Sequence, residues 1–202
     1  MRNVCATGRF SGDGYLVSPH EGPPFIVPKY ILLEHPELSV EDDQEIESSL
    51  FELLLHLNRC ALCRQKGLDL LVMREHSSLE LKQKLYKRKF TSDEINDALS
   101  YLKRKDYLSD ERFAEIFIRS RLRRKSEGKS VMMQRLMQKG VNRRTAEIAW
   151  DEEAPDESLL LDRAFEATER KFGTKDEKRI AYLVRSGFRY GQIVQKIKNR
   201  EP

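Results

Sequence analysis

Apolar positions along this chain recur in a pattern that appears three times. Leu85-Tyr-Lys-Arg-Lys-Phe90 lies over Leu136-Met-Gln-Lys-Gly-Val141 and Leu183-Val-Arg-Ser-Gly-Phe188 without a gap, at offsets of 51 and 47 residues. Leu81 then coincides with Met132, Ile95 with Ala146 and Ile193, and Leu99 with Trp150 and Ile197. A leucine followed by apolar residues five, ten and fourteen positions later describes two short amphipathic helices and the corner between them.

Capping residues mark the same boundaries independently. Ser77 with Glu80, Thr91 with Glu94 and Thr174 with Glu177 each have the spacing of a capping box, in which side chains satisfy the orphan amides of a first helical turn. Asn142 is the candidate N-cap of the matching helix in the second copy. Gly140 and Gly187 stand where the preceding helix should end, a position that favours the left-handed conformation. The first copy has Lys89 there, so its corner is expected to be looser or differently closed.

A longer amphipathic segment precedes each pair: Ile46 to Arg74, Asp110 to Lys125 and Glu157 to Phe172. Three copies of one long helix and two short ones make nine helices. The expected fold is all-α, with three tandem three-helix, helix-turn-helix-like repeats at 46–106, 107–153 and 154–202. Residues 1–45 differ in kind. Gly8, Gly12, Gly14 and Gly22 with Pro19, Pro23, Pro24, Pro28 and Pro36 punctuate short β-like pieces, Tyr15 to Val17 and Phe25 to Val27. They predict a small extension with one hairpin or partial disorder.

Composition supports small helical units over one deep core, at 39% hydrophobic and 35% charged residues. No run approaches the roughly 18 apolar residues of a membrane span, and residues 1–7 lack the apolar centre of a signal peptide, so a cytoplasmic protein is expected. The odd count of three cysteines fits a reducing compartment. Cys60 and Cys63 form a lone C-x-x-C with His56 on the same helical face. That spacing also belongs to the apolar stripe of Leu53 and Leu57, and no second pair completes a zinc site, so ordinary packing is expected.

The formal net charge of +4 conceals an asymmetry. Residues 1–73 carry 6 basic and 11 acidic side chains, residues 74–150 carry 20 and 11, and residues 151–202 carry 11 of each. A charged run is ordinarily a solvated helix face, but this excess is confined to the middle of the chain. It is the footprint of a surface that meets nucleic acid or an acidic protein groove. Arg119, Arg121, Arg123, Arg124 and Lys125 crowd the end of one helix, and Lys82, Lys87, Arg88, Arg143 and Arg144 flank it in sequence. No phosphate-binding loop, nucleophile elbow or metalloprotease motif is present, and the four histidines are scattered singly. The acidic cluster Asp151, Glu152, Glu153, Asp156 and Glu157 precedes a long helix, where it favours the helix dipole. These features point to a binding protein without cofactor, metal or catalytic centre.

Several motifs resemble the RecX regulators of the RecA recombinase. Arg74-Glu-His-Ser77 with Glu80-Leu81 and Lys84-Leu85 is similar to that family's opening signature, and Tyr107-Leu-Ser-Asp-Glu-Arg-Phe-Ala114 with Arg119 and Arg121 to its most recognisable segment. Lys139-Gly-Val141 and Ser186-Gly-Phe188 resemble its repeated corner. The likeness covers about residues 60 to 198, departing at Lys89, where glycine is usual, and at Ser109, where an acid is common. It implies an elongated, curved helical array that works as a monomer. The array would lie in the groove of the RecA filament, touch protein and single- or double-stranded DNA, and restrain recombination, ATP hydrolysis and coprotease activity. The ten basic residues named above are the expected contacts. The alternative is a helix-turn-helix-type DNA-binding protein that contacts phosphates without RecA: Asn142, Arg143 and Arg144 offer base-reading side chains at a helix start, but Thr91, Ser92 and Asp93 of the first copy and Arg189, Tyr190 and Gly191 of the third do not.

Overall fold

The computed structural model describes residues 4–173 and 175–199. Among these residues, four strands and ten helices follow in the order β1 (Val4–Ser11), β2 (Gly14–Pro19), β3 (Phe25–Pro28), α1 (Lys29–Glu34), β4 (Gln44–Glu47), α2 (Ser48–Met73), α3 (Ser78–Tyr86), α4 (Ser92–Arg104), α5 (Asp110–Arg124), α6 (Lys129–Gln138), α7 (Arg143–Glu153), α8 (Glu157–Phe172), α9 (Asp176–Arg185) and α10 (Tyr190–Lys198). They divide into two compact units. One holds the described residues up to Arg74 with Leu81–Tyr107, the other Glu75–Glu80 with the described residues from Leu108 onward. Helices α2 to α10 are the nine that the repeat requires, and α1 is additional.

In the first unit the N-terminal segment is a four-stranded antiparallel sheet of order β3-β2-β1-β4, more than the single hairpin or partial disorder its sequence suggests. Gly12 and Asp13 turn β1 into β2, with Gly12 at φ 53°, a conformation tight hairpins demand. Ala6, Tyr15, Val17, Val27 and Ile46 bury one sheet face against Ile31 of α1 and against Leu54, Leu57 and Ala61 of α2. Ile46, read from sequence as the start of the long helix, lies in β4 opposite Ala6, and α2 begins two residues later at Ser48. Strand pairing across that distance leaves no local periodicity to read.

Further along α2, Cys60, Cys63 and Arg64 are buried, and this helix packs on α4. The Cys60 Sγ lies 3.6 Å from His56 Nε2. Burial is the main cause that pushes the Cys60 thiol up to about 11 and the Cys63 thiol to about 12, so both act as packing groups. Arg64 donates Nε and Nη2 to Asp97 at 2.8 Å each and Nη1 to Glu34 at 2.7 Å, with its guanidinium 4.4 Å from the Tyr101 ring centre. Arg59 bonds Glu94, which completes the Thr91 capping box of α4.

In the second unit α5 packs on α7, α6 on α7, α8 on α9 and α9 on α10, around one core that includes Phe113, Leu136, Trp150, Phe165, Leu183 and Ile193. The aligned apolar columns are interior positions: Leu81 and Met132, Leu85, Leu136 and Leu183, and Ile95, Ala146 and Ile193 are all fully buried. Arg179 stands where the third copy would continue the Leu81 column. It is buried over the Phe165 ring at 4.1 Å and paired with Glu169 and Asp176. Asn142 caps α7 through the Thr145 amide, while the expected cap at Thr174 lies outside the described residues.

Corners and helix starts of successive copies interlock in this unit. Ser77 Oγ accepts the Glu80 amide at 3.1 Å and donates to the Lys139 carbonyl at 2.6 Å. One repeat later Gly128 N–H donates to the Ser186 carbonyl at 2.8 Å and Ser130 Oγ to the Gly187 carbonyl at 2.9 Å. The first corner closes like the others: Lys89 takes φ 67°, against 82° at Gly140 and 96° at Gly187, so the expectation of a differently closed corner fails. Arg59 Nη2 donates to the Lys89 carbonyl at 3.1 Å and helps to hold it.

Candidate functional site

Helix α5 is built to carry positive charge at its end. Ser109 caps its start through the Arg112 amide, Asp110 and Glu111 sit in the first turn, and Arg121, Arg123 and Arg124 in the last, each sign at the favourable end of the helix dipole. Phe113, Ala114 and Ile118 bury the opposite face. The Lys125 amide closes the helix on the Arg121 carbonyl at 3.0 Å.

Between Arg119 and Arg135 the chain has seven cations and a single carboxylate, Glu127. That carboxylate is 1% exposed and receives three of them. Arg121 donates Nη2 to Oε1 at 3.0 Å, Arg135 donates Nε to Oε2 at 3.1 Å, and Lys125 Nζ lies 3.7 Å from Oε1. Burial acts to raise the Glu127 pKa, but the Arg121 hydrogen bond and the charges of Arg121, Arg135 and Lys125 outweigh it and hold the carboxyl below its ordinary value. Glu127 precedes Gly128 of the interlocked corner, which fixes where the carboxylate sits.

The ten basic residues expected from sequence do not form one patch. Arg121 and Lys125 gather on Glu127, joined there by Arg135, which the sequence reading passed over. The signal available was the lone acid within a basic run, directly before a glycine. Arg119 forms a two-point pair with Glu153 at 2.8 and 2.5 Å. Arg123 and Arg124 are exposed and meet no carboxylate among the described residues. Arg143 pairs with Glu147 at 2.8 Å on the surface of α7, beside exposed Arg144. In the other unit, Lys82 lies over the Tyr86 ring, Arg88 donates to the Lys84 carbonyl and Lys87 is exposed.

Much of the acidic cluster serves as counter-charge and cap: Glu153 binds Arg119, Asp151 binds Lys129 at 2.9 Å, and Asp156 caps α8 through the Ser158 amide. Asn142 places its side-chain oxygen on the Thr145 amide and donates one Nδ2 hydrogen to the Thr145 hydroxyl, the bonds of a helix cap. Among the described residues no group of three His, Cys, Asp or Glu could hold a metal ion, and no helix is long and apolar enough to cross a membrane. The class defined by this geometry is a helical-repeat protein that presents selected arginines beside a buried carboxylate.

Comparison with known proteins gives that class a family. Residues 63–102 match the model of the first three-helix domain of RecX and residues 109–149 that of the second. The regulatory protein RecX of Haemophilus influenzae strain Rd is 34% identical over 137 residues, covering 64% of this chain and 88% of that protein. The regulatory protein RecX of Clostridium perfringens strain 13 is 24% identical over 173 residues, covering 80% and 81%. A crystal structure of regulatory protein RecX shares the fold with TM-score 0.79 at 16% identity, over 99% of this chain and all of that one. RecX from Lactobacillus salivarius gives 0.61 at 20% identity, over 70% and 96%. The chain belongs to the RecX family of regulatory proteins.

Proposed function

We propose that this protein binds the filament of the RecA recombinase and restrains its recombination, ATP hydrolysis and coprotease activities, without a catalytic step of its own. The observation that carries the reading is the end of α5. Arg123 and Arg124 are exposed and unpaired among the described residues, while Arg121 and Lys125 beside them are anchored on Glu127. Anchoring restricts the local backbone and side chains before a partner arrives, which lowers the entropy cost of contact, and the unpaired cations supply attraction to an acidic surface. Family membership is the second support.

The test is inhibition of RecA-driven ATP hydrolysis on single-stranded DNA. Arg121 is engaged with a buried carboxylate and its reversal would endanger the fold, so the informative variant is Arg123→Glu with Arg124→Glu. It should require at least about tenfold more protein for equal inhibition, equivalent to about 1.4 kcal/mol of binding, with an unchanged thermal midpoint. Undiminished inhibition by a folded double variant rejects the assignment.

A further inference from the structure

Helix α7 carries six charged side chains, and four of them are paired within the chain. Arg143 meets Glu147, Asp151 meets Lys129 and Glu153 meets Arg119. Arg144 and Glu152 are exposed and form no ion pair among the described residues. Ile148 lies midway between them in sequence and is 50% exposed. Positions 144, 148 and 152 follow one stripe along a helix, while Thr145, Ala146, Ala149 and Trp150 bury the other face. Beside the stripe a groove of about 300 Å³ runs between α5 and α7, floored by Thr145 and Ala149 and edged by Glu111 and Glu115 of α5.

We propose that this stripe is the contact surface for a second copy of the chain, packed antiparallel across a two-fold axis that passes between the two Ile148 side chains. A two-fold contact sets one surface against itself, so it needs a pattern that is its own complement. Arg144, Ile148 and Glu152 make such a pattern: reversed, it places arginine against glutamate at both ends and isoleucine on isoleucine at the centre. A parallel pair would set like charges together. Helix electrostatics point the same way. On α5 each sign stands at the end the dipole favours, but α7 is reversed, with Arg143 and Arg144 in its first turn and Asp151, Glu152 and Glu153 in its last. Ion pairs within the chain offset that placement for Arg143, Asp151 and Glu153, and leave Arg144 and Glu152. An antiparallel neighbour brings the C-terminal end of its α7 beside Arg144 and the N-terminal end beside Glu152, so each charge meets a favourable dipole and an opposite charge together. Burial of two half-exposed isoleucines supplies the apolar part. Glu111 and Glu115 make the groove net negative, which suits it to receive the partner's cation alongside Glu152. The contact is small, so the dimer is transient and depends on concentration, in place of the monomer that the family resemblance implies.

This inference does not depend on the RecA reading, because its test contains this chain alone. Sedimentation equilibrium of the full chain should show reversible dimers that dissociate as salt is raised. Ile148→Arg sets two cations on the axis and should weaken dimerisation at least about tenfold. Arg144→Glu and Glu152→Arg should each do the same, since each creates like-charge contacts at both ends of the dimer. Combining the two in one chain restores the complement, moves both charges to the ends the helix dipole favours, and should recover dimers near the parent's affinity. Mixing the two single variants should yield a heterodimer, because one then carries two acids at these positions and the other two arginines. Matching circular dichroism and melting of all variants separates loss of contact from loss of fold. A parent chain that stays monomeric up to its highest soluble concentration overturns the proposal. So do dimers that survive Ile148→Arg, or single variants whose combination and mixture fail to associate. A monomeric chain that instead binds oligolysine through Glu111, Glu115 and Glu152 would assign the groove to a cationic partner, which also overturns it.

Discussion

Gly128 meets Gly187 backbone to backbone: a Cβ added at Gly128 would lie 2.3 Å from the Gly187 carbonyl oxygen, closer than any real contact. The preceding joint has the same form, where a Cβ on Gly140 would lie 2.5 Å from the Leu79 Cβ. A corner glycine in this fold therefore answers two demands, a left-handed φ and the helix start of the copy before it. The Lys89 corner, in the first copy, has no earlier copy to receive and keeps a side chain.

Gly128→Ala should cost about 2–3 kcal/mol in chemical denaturation, because backbone must shift to admit the methyl group. Gly191→Ala, inside α10 with open space around it, should instead stabilise by about 0.5–1 kcal/mol through helix propensity. Equal effects at the two sites would disprove the joint.

Lys89→Gly should raise stability by about 1 kcal/mol, since a left-handed φ costs a lysine roughly that much and the Arg59 bond is to the backbone carbonyl, which glycine retains. Denaturation midpoints of the two proteins decide it, and a lower midpoint for the glycine variant would show that the lysine side chain itself is needed.

Glu127→Gln should destabilise the second unit by about 2 kcal/mol at neutral pH, as charge-assisted bonds to half-exposed arginines become neutral ones. A carboxyl whose folded pKa is depressed contributes stability above its unfolded pKa, about 4.3, and loses it as pH falls through the folded value. The gap between parent and variant should thus be constant near pH 7 and close below about pH 4. A gap independent of pH would assign the loss to shape instead.

Arg64→Met should cost the first unit about 3 kcal/mol, because it takes the shared guanidinium from Asp97 and Glu34, each about one-third exposed, and leaves Glu34 only the more distant Arg104 at 3.5 Å. Arg64→Lys should recover only part, since an ammonium cannot hold Asp97 at two points and Glu34 together. Urea titration monitored by hydrogen exchange in α2 and α4 would resolve the order.

With a thiol reagent at pH 8, the native chain should present one reacting cysteine, Cys5, which is only partly buried. Cys60 and Cys63 are buried, and their thiols, pushed to about 11 and about 12, remain protonated there. All three should react at once in denaturant. Fast reaction of three thiols in the native chain would mean that the interior of α2 opens readily.

Local rules made much of the architecture legible. A residue every three or four positions must be apolar for a short helix to bury a stripe, so the columns through Leu85, Leu136 and Leu183 or Ile95, Ala146 and Ile193 stand out along the chain. Thr91 and Asn142 announced helix starts because capping involves side chains three residues apart. The sheet was only half visible, since the pairing of Ala6 with Ile46 joins residues far apart in sequence and Ile46 alone looks like the first residue of a helix.

Charge behaved differently. A basic residue on a solvated helix has the same sequence signature whether it meets no carboxylate among the described residues, as Arg123 does, or is bound to a buried carboxylate, as Arg121 is. Which cations remain for a partner depends on where Glu127, Glu153 and Glu147 come to rest. The sequence by itself determined the nine helices of the repeat, their threefold repetition and the concentration of positive charge, because each follows from neighbours along the chain. Tertiary structure alone decided the partners of that charge and the groove between α5 and α7, because ion pairs and cavities form between segments that only packing brings together.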